Sequence, residues 1–114
     1  MSSDCLFCKI ASGALSTEFL LETDHVVAFH DLNPVAPTHI LVIPKKHIAS
    51  LADVQVQDRE LMGEIMLAIR DLAKNQALDE GFRVVANTGT DGGQSVFHLH
   101  FHLLGGRSLQ WPPG

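Results

Sequence analysis

The sequence predicts an α+β fold: an antiparallel sheet of about five strands, with one long helix across a face and one or two short helices. Three observations carry this. Strand-like segments flank a single long helical segment, residues 57–76, with no alternating strand–helix–strand rhythm, which argues against a parallel doubly wound sheet. Residues 39–43, His-Ile-Leu-Val-Ile, are nearly all apolar and β-branched, as in a central strand buried on both faces. Residues 98–104 alternate histidine with apolar residues, which is the period of a strand.

Each element has a local reason. Residues 5–11 mix apolar and polar side chains without alternation and stop before Gly13, as a short helix does. Residues 18–22 and 25–30 read as two strands joined at Thr23-Asp24, a hairpin-length link. Residues 31–37 form a loop stiffened by Pro34 and Pro37. The apolar strand at 39–43 follows and is ended by Pro44. Lys45-Lys46-His47 is a solvated corner. Ser50 and Asp53 have capping-box spacing for a short helix. In the long helix Leu61, Ile65, Ala68, Ile69 and Leu72 recur at helical spacing, and Gly81 lies beyond its end. Residues 82–87 form a strand, 88–95 a glycine-rich turn, 96–104 the histidine strand, and 105–114 a tail carrying Trp111.

At 114 residues the chain is expected to be one domain with a real core. Its net charge of −5 speaks against nucleic-acid and membrane-surface partners, though not against a small phosphorylated ligand. No apolar run has the length of a membrane span. Met1-Ser2-Ser3-Asp4 lacks the basic and apolar regions of a signal peptide. The only cysteines, Cys5 and Cys8, suit metal or redox chemistry better than a secreted disulfide framework. Together these features predict a cytoplasmic protein.

The chemistry gathers at the histidines. On a strand His98, His100 and His102 share one face, with neighbours roughly 6.5–7 Å apart, while Leu99, Phe101 and Leu103 line the other. Just upstream, Gly89-Thr90-Asp91-Gly92-Gly93-Gln94-Ser95 offers backbone N–H groups and a hydroxyl to an anion. Oxyanion donors beside a row of imidazoles suggest phosphorus chemistry. Cys5-x-x-Cys8 makes half a tetrahedral zinc site, and His47 and His98 are the candidates to complete it. The alternative is a pair of buried or free thiols.

The run Gly92-Gly93-Gln94-Ser95-Val96-Phe97-His98-Leu99-His100-Phe101-His102-Leu103-Leu104 resembles the signature of the histidine triad (HIT) superfamily. Ala28-Phe29-His30-Asp31, Ala36-Pro37-Thr38-His39, Leu41-Val42-Ile43-Pro44-Lys45-Lys46-His47 and Trp111-Pro112-Pro113-Gly114 are similar to its Hint branch, the nucleoside phosphoramidases. The resemblance implies hydrolysis of purine nucleoside 5′-phosphoramidates to a nucleoside monophosphate and an amine, without a cofactor in the catalytic step. It makes His100 the nucleophile, Ser95 the residue that bonds the leaving group, and His102 and His39 phosphate contacts. It assigns the Gly93 amide and Asn87 to the phosphate site, and Asp31 to the ribose hydroxyls. Phe7, Phe29 and Leu32 would line the base pocket, with His30 at its edge. A structural zinc on Cys5, Cys8, His47 and His98 would tie the N-terminal helix to the sheet. The tail at 105–114 would reach the second subunit of a twofold dimer, although Trp111 has the alternative of packing on its own domain.

Two other readings start from the same residues. His98, His100 and His102 together hold a catalytic metal, or the chain binds nucleotides without turning them over.

Overall fold

The computed structural model describes residues 4–114. Met1, Ser2 and Ser3, part of the stretch read for a signal peptide, lie outside the described residues.

Helix α1 (Leu6–Ala11) leads into β1 (Leu21–Glu22), β2 (Val26–His30) and β3 (Thr38–Pro44). Two 3-10 turns, Leu51–Asp53 and Val56–Asp58, run into α2 (Arg59–Asn75), followed by β4 (Phe82–Val85) and β5 (Phe101–Gly105). The five strands form one sheet in the order β1-β2-β3-β5-β4. Every neighbouring pair is antiparallel. The expected α+β architecture is the observed one.

The sheet is packed on both faces. Against one face, Ile65, Ala68, Ile69 and Leu72 of α2 meet Val26, Ala28, Ile40 and Val42, together with Leu99, Phe101 and Leu103. Against the other, Phe7, Ile10 and Ala11 of α1 meet Val27, Phe29, Leu41 and Ile43. Alternate residues of β3 therefore serve different cores, which is why its sequence is apolar throughout. Burying a side chain such as Ile40 or Ile43 is worth about 1.5–3 kcal/mol, so β3 is the natural spine of the fold.

Four boundaries differ from expectation. The histidine strand was expected over 96–104, but the ladder begins only at Phe101. Its partner β3 runs out at Pro44, whose carbonyl accepts from the His98 ring, and the Leu99 N–H turns to Ile48 O at 2.6 Å. His98 and His100 thus precede the strand, although Leu99, Phe101 and Leu103 still share the α2 core.

The first strand was expected over 18–22 and keeps only two residues. Leu20 and Leu21 both pack on the α2 core, and two successive residues on one face break the period of two. The long helix was expected over 57–76. Its first turn is instead 3-10, closed by a capping box between Gln55 and Asp58, and it ends before Ala77 at φ +57°. At the Ser50 turn the hydroxyl accepts the Ala52 N–H and donates to Asp53, so that turn is capped but has no reciprocal box. The strand expected over 82–87 stops at Val85.

Candidate active site and metal centre

The chemistry-bearing side chains lie on the sheet face that α1 covers. His39 and Leu41 alternate with the α2-facing residues of β3, and His102 stands opposite Leu41 in the register. Antiparallel partners share a face, so His39 and His102 are diagonal neighbours there. Their rings are 5.1 Å apart, as are those of His100 and His102. The row continues to Phe7 of α1, whose ring meets those of His100 at 5.0 Å and His98 at 6.0 Å, edge to face.

Hydrogen-bond directions fix the tautomers. The Val35 N–H donates to His39 Nδ1 at 3.1 Å. A neutral imidazole carries one N–H, so in His39 it sits on Nε2, which lies 2.9 Å from His102 Nδ1. His102 therefore bears its own N–H on Nε2, and this buried atom has no partner among the described residues. Burial, aided by neighbouring His100 and His39, pushes the His102 pKa down to about 4, so the ring is neutral at pH 7. His100 lies the other way round: its Nδ1 bonds the His98 carbonyl at 2.7 Å. A carbonyl only accepts, so Nδ1 holds the proton and Nε2 keeps a lone pair.

The opposite end of the row is a thiol–imidazole cluster. Cys5 caps α1, its Sγ accepting the Cys8 N–H at 3.3 Å. His98 donates from Nε2 to the Pro44 carbonyl at 2.8 Å, which turns the lone pair of Nδ1 toward the cluster. That Nδ1 lies 3.4 Å from Cys5 Sγ, 3.5 Å from Cys8 Sγ and 3.3 Å from His47 Nδ1, with His47 Nδ1 3.2 Å from Cys8 Sγ. Nitrogen and sulfur ligands placed tetrahedrally around zinc would stand about 3.3–3.8 Å apart. The donor set, the spacing and the outward hydrogen bond from His98 all fit a bound cation. Burial, then the Cys5 sulfur, pushes the Cys8 thiol up to about 11, and a cation would reverse that penalty. Burial likewise lowers the His98 pKa and keeps the ring in its neutral, ligating form. These four residues could hold a metal ion.

Asp31, His39 and His102 also lie close enough to share an ion. His39 Nε2 already carries the proton there, because Val35 occupies Nδ1. The three histidines of the motif do not converge on one point: His98 belongs to the thiol cluster and His102 to the other. That removes the catalytic-metal reading of His98, His100 and His102.

The other residues singled out in the sequence differ in burial and contacts. Asp31 begins the loop after β2. One carboxylate oxygen accepts the Asn33 N–H at 2.7 Å and the other lies 3.4 Å from His39 Nε2, so the turn-forming role coexists with an acceptor in the site. Phe7 and Phe29 are buried in the α1 core in edge contact at 5.8 Å, whereas Leu32 is 94% exposed. His30 is exposed at the end of β2, and Asn87 is half-buried beyond β4. Ser95 is exposed.

The Gly93 N–H, expected to be an anion donor, instead closes a turn onto Thr90 O at 3.0 Å. A side chain at Gly92 would strike the Thr88 carbonyl, so the loop requires glycine there. Gln94, which sequence reasoning passed over, is what holds the loop. Its buried amide accepts from the Gly89 N–H and donates to the Ala49 and Val96 carbonyls. An amide inside a glycine run carries no signal of such a role. A cavity of about 620 Å³ lies elsewhere, along Phe82, Arg83, Arg107 and Leu109.

Residues 12–109 match the HIT domain family. An uncharacterised HIT-like protein of Synechococcus elongatus is 48% identical over 114 residues, all of both chains. A HIT family hydrolase from Legionella pneumophila has the same fold, with a TM-score of 0.95 and 48% identity over 97% of this chain and 100% of that one. A histidine triad protein from Clostridium difficile gives 0.92 and 49%, covering 96% of each chain. A histidine triad nucleotide-binding protein from Candida albicans gives 0.82 and 34%, over 96% of this chain and 83% of that one. With the histidine motif, the five-stranded sheet and these likenesses in agreement, the chain belongs to the HIT domain family, the histidine triad proteins.

Proposed function

We propose that this protein is a nucleoside phosphoramidase: it hydrolyses purine nucleoside 5′-phosphoramidates to a nucleoside monophosphate and an amine through a nucleotidyl-His100 intermediate. The observation that carries this is the bond from His100 Nδ1–H to the His98 carbonyl: with the proton held there, the neutral form of the ring has its free lone pair on Nε2. Nε2 attacks the α-phosphorus and the P–N bond breaks. The amine leaves with a proton that Ser95 helps to place, and water then cleaves the phosphorus–histidine bond. The likeness to a HIT family hydrolase and to a histidine triad nucleotide-binding protein supports a nucleotide substrate.

The other roles are those that the resemblance to the histidine triad proteins implies. The unpartnered Nε2–H of His102 donates to a phosphate oxygen, supported from behind by His39. Asn87 assists at the phosphate. Asp31 accepts from the ribose hydroxyls, and Phe7, Phe29, Leu32 and His30 surround the base. Cys5, Cys8, His47 and His98 would hold a structural zinc, whose charge stabilises two thiolates and pins α1 to the sheet. A centre built on two thiolates suits the reducing cytoplasm. Among the described residues no helix is long and apolar enough to cross a membrane. The chain acts as one histidine triad domain whose tail, residues 105–114, meets a second copy in a twofold dimer. Exposed Phe82, Val84 and Trp111 on and near the outer strand supply apolar surface for that contact.

Mass spectrometry after acid quenching tests the central step. Wild-type protein mixed with adenosine phosphoramidate is expected to show a nucleotidyl adduct on His100. His100→Ala is expected to show none and to lose at least about a thousandfold in turnover. An adduct on another residue, or turnover surviving in His100→Ala, would end this reading.

A further inference from the structure

The loop between β2 and β3 is held from outside by the start of the C-terminal tail. The Arg107 guanidinium donates to the Val35 carbonyl at 3.0 Å and also to Ser108 O. Beside it, Gly106 sits at φ +90°, and a Cβ there would come within 2.8 Å of Pro37 Cβ. The two tail residues thus grip the loop by its backbone and by its proline. On its inner side the same loop sends the Val35 N–H to His39 Nδ1.

We propose that Arg107 is a positioning residue for the phosphate-facing histidines. It holds the Val35 segment against His39, keeps His39 in its Nε2–H tautomer, and so leaves His102 with an N–H on Nε2 to offer the substrate. The reasoning is a chain of single protons. While the Val35 N–H occupies Nδ1, His39 must donate from Nε2 to His102 Nδ1. If the loop slackens, His39 can carry its proton on Nδ1 instead. Its bare Nε2 then faces His102 Nδ1, and two lone pairs at that distance force the His102 proton over to Nδ1. The phosphate loses its donor, although every side chain of the triad is still present. Asp31 Oδ2, 3.4 Å from His39 Nε2, is a second acceptor on that side and acts with the Val35 N–H to keep the proton on Nε2, so slackening of the loop shifts the tautomers in part.

The inference rests on the phosphoramidase reading for its consequence in turnover, but not for its tautomers. The experiment therefore has two arms. In 15N-labelled wild-type protein at neutral pH, long-range proton–nitrogen correlation spectra are expected to show His39 and His102 protonated on Nε2. In Arg107→Ala, His39 is expected to populate Nδ1–H, with kcat for adenosine phosphoramidate about tenfold lower and KM changed by less than about threefold. Arg107→Lys keeps a charged donor and restores both readouts at least in part. Arg107 is exposed, so the alanine variant removes no core packing. Wild-type tautomers in Arg107→Ala, an Nδ1–H His39 in wild type, or a kcat within about twofold of wild type would overturn the proposal. Should wild-type protein hydrolyse no phosphoramidate, the functional reading fails alone, and the tautomer comparison still decides whether Arg107 governs the pair.

Discussion

The two ligand-rich clusters of this molecule, Cys5–Cys8–His47–His98 and Asp31–His39–His102, draw on similar side chains and end in different states. The difference lies behind the rings. At His98 a backbone carbonyl, that of Pro44, takes the N–H and leaves a lone pair facing two sulfurs. At His39 a backbone N–H, that of Val35, takes the lone pair and leaves a proton facing His102. One peptide group leaves a lone pair able to ligate a metal, and the other leaves a proton to donate. A cation on His39 Nε2 would have to displace that proton while Nδ1 already lacked one, so the second cluster is closed by hydrogen, whereas the first could hold a metal ion. The identity of a histidine is therefore a poor guide to its chemistry until its second nitrogen is accounted for.

Three measurements would break or sharpen this contrast. The largest effect is expected from Cys8→Ser. Metal content by elemental mass spectrometry should fall to background, and the melting temperature should drop by about 10 °C or more, because binding energy at such a centre is folding energy. His102→Asn should leave the metal in place. Full metal occupancy in Cys8→Ser would erase the distinction between the clusters.

Next comes acid. The folded pKa of His102 is about 4 against an ordinary 6.5. Between those values the unfolded chain takes up a proton that the folded one refuses, so this contribution to stability is whole above about pH 6.5 and drains away as the pH falls toward 4. Denaturation of His102→Asn should accordingly show a shallower loss of stability over that window than wild type, with the thiol–imidazole cluster common to both. Parallel curves would mean that the second cluster is not held neutral by burial.

The smallest effect is expected outside both clusters. His25 pairs with Glu64 at 3.2 Å on the surface, and the Thr23 hydroxyl, then His25, holds the Glu64 carboxyl below its usual range. Glu64→Gln should move the melting temperature by about 2 °C or less, as exposed pairs do. A larger shift would show that a solvated histidine can matter as much as a buried one here.

The legible parts of the sequence were those with a period or a composition of their own. Residues 39–43 announced β3 by being apolar on both faces, and the helical spacing from Leu61 to Leu72 announced α2. The chemistry-bearing side chains were legible because histidines two apart and cysteines three apart are rare patterns. What stayed hidden was settled by partners distant in sequence. The histidine strand begins three residues later than its alternation suggests, since the Pro44 carbonyl and Ile48 carbonyl divert His98 and Leu99 from the ladder. The Val35 N–H leaves no mark on residue identity, because every residue but proline has one. Gln94 and Arg107 act on backbone carbonyls far along the chain, and nothing near either position foretells it.

Helix α1 has a consequence for how much of the chain defines the protein. Its residues fall before position 12, where the match to the HIT domain begins. Yet Cys5 and Cys8 supply half of the thiol–imidazole centre, and Phe7 braces the rings of both His98 and His100. A fragment trimmed to the family boundary would keep every strand and the full histidine motif. It would lose the wall against which the His100 ring rests.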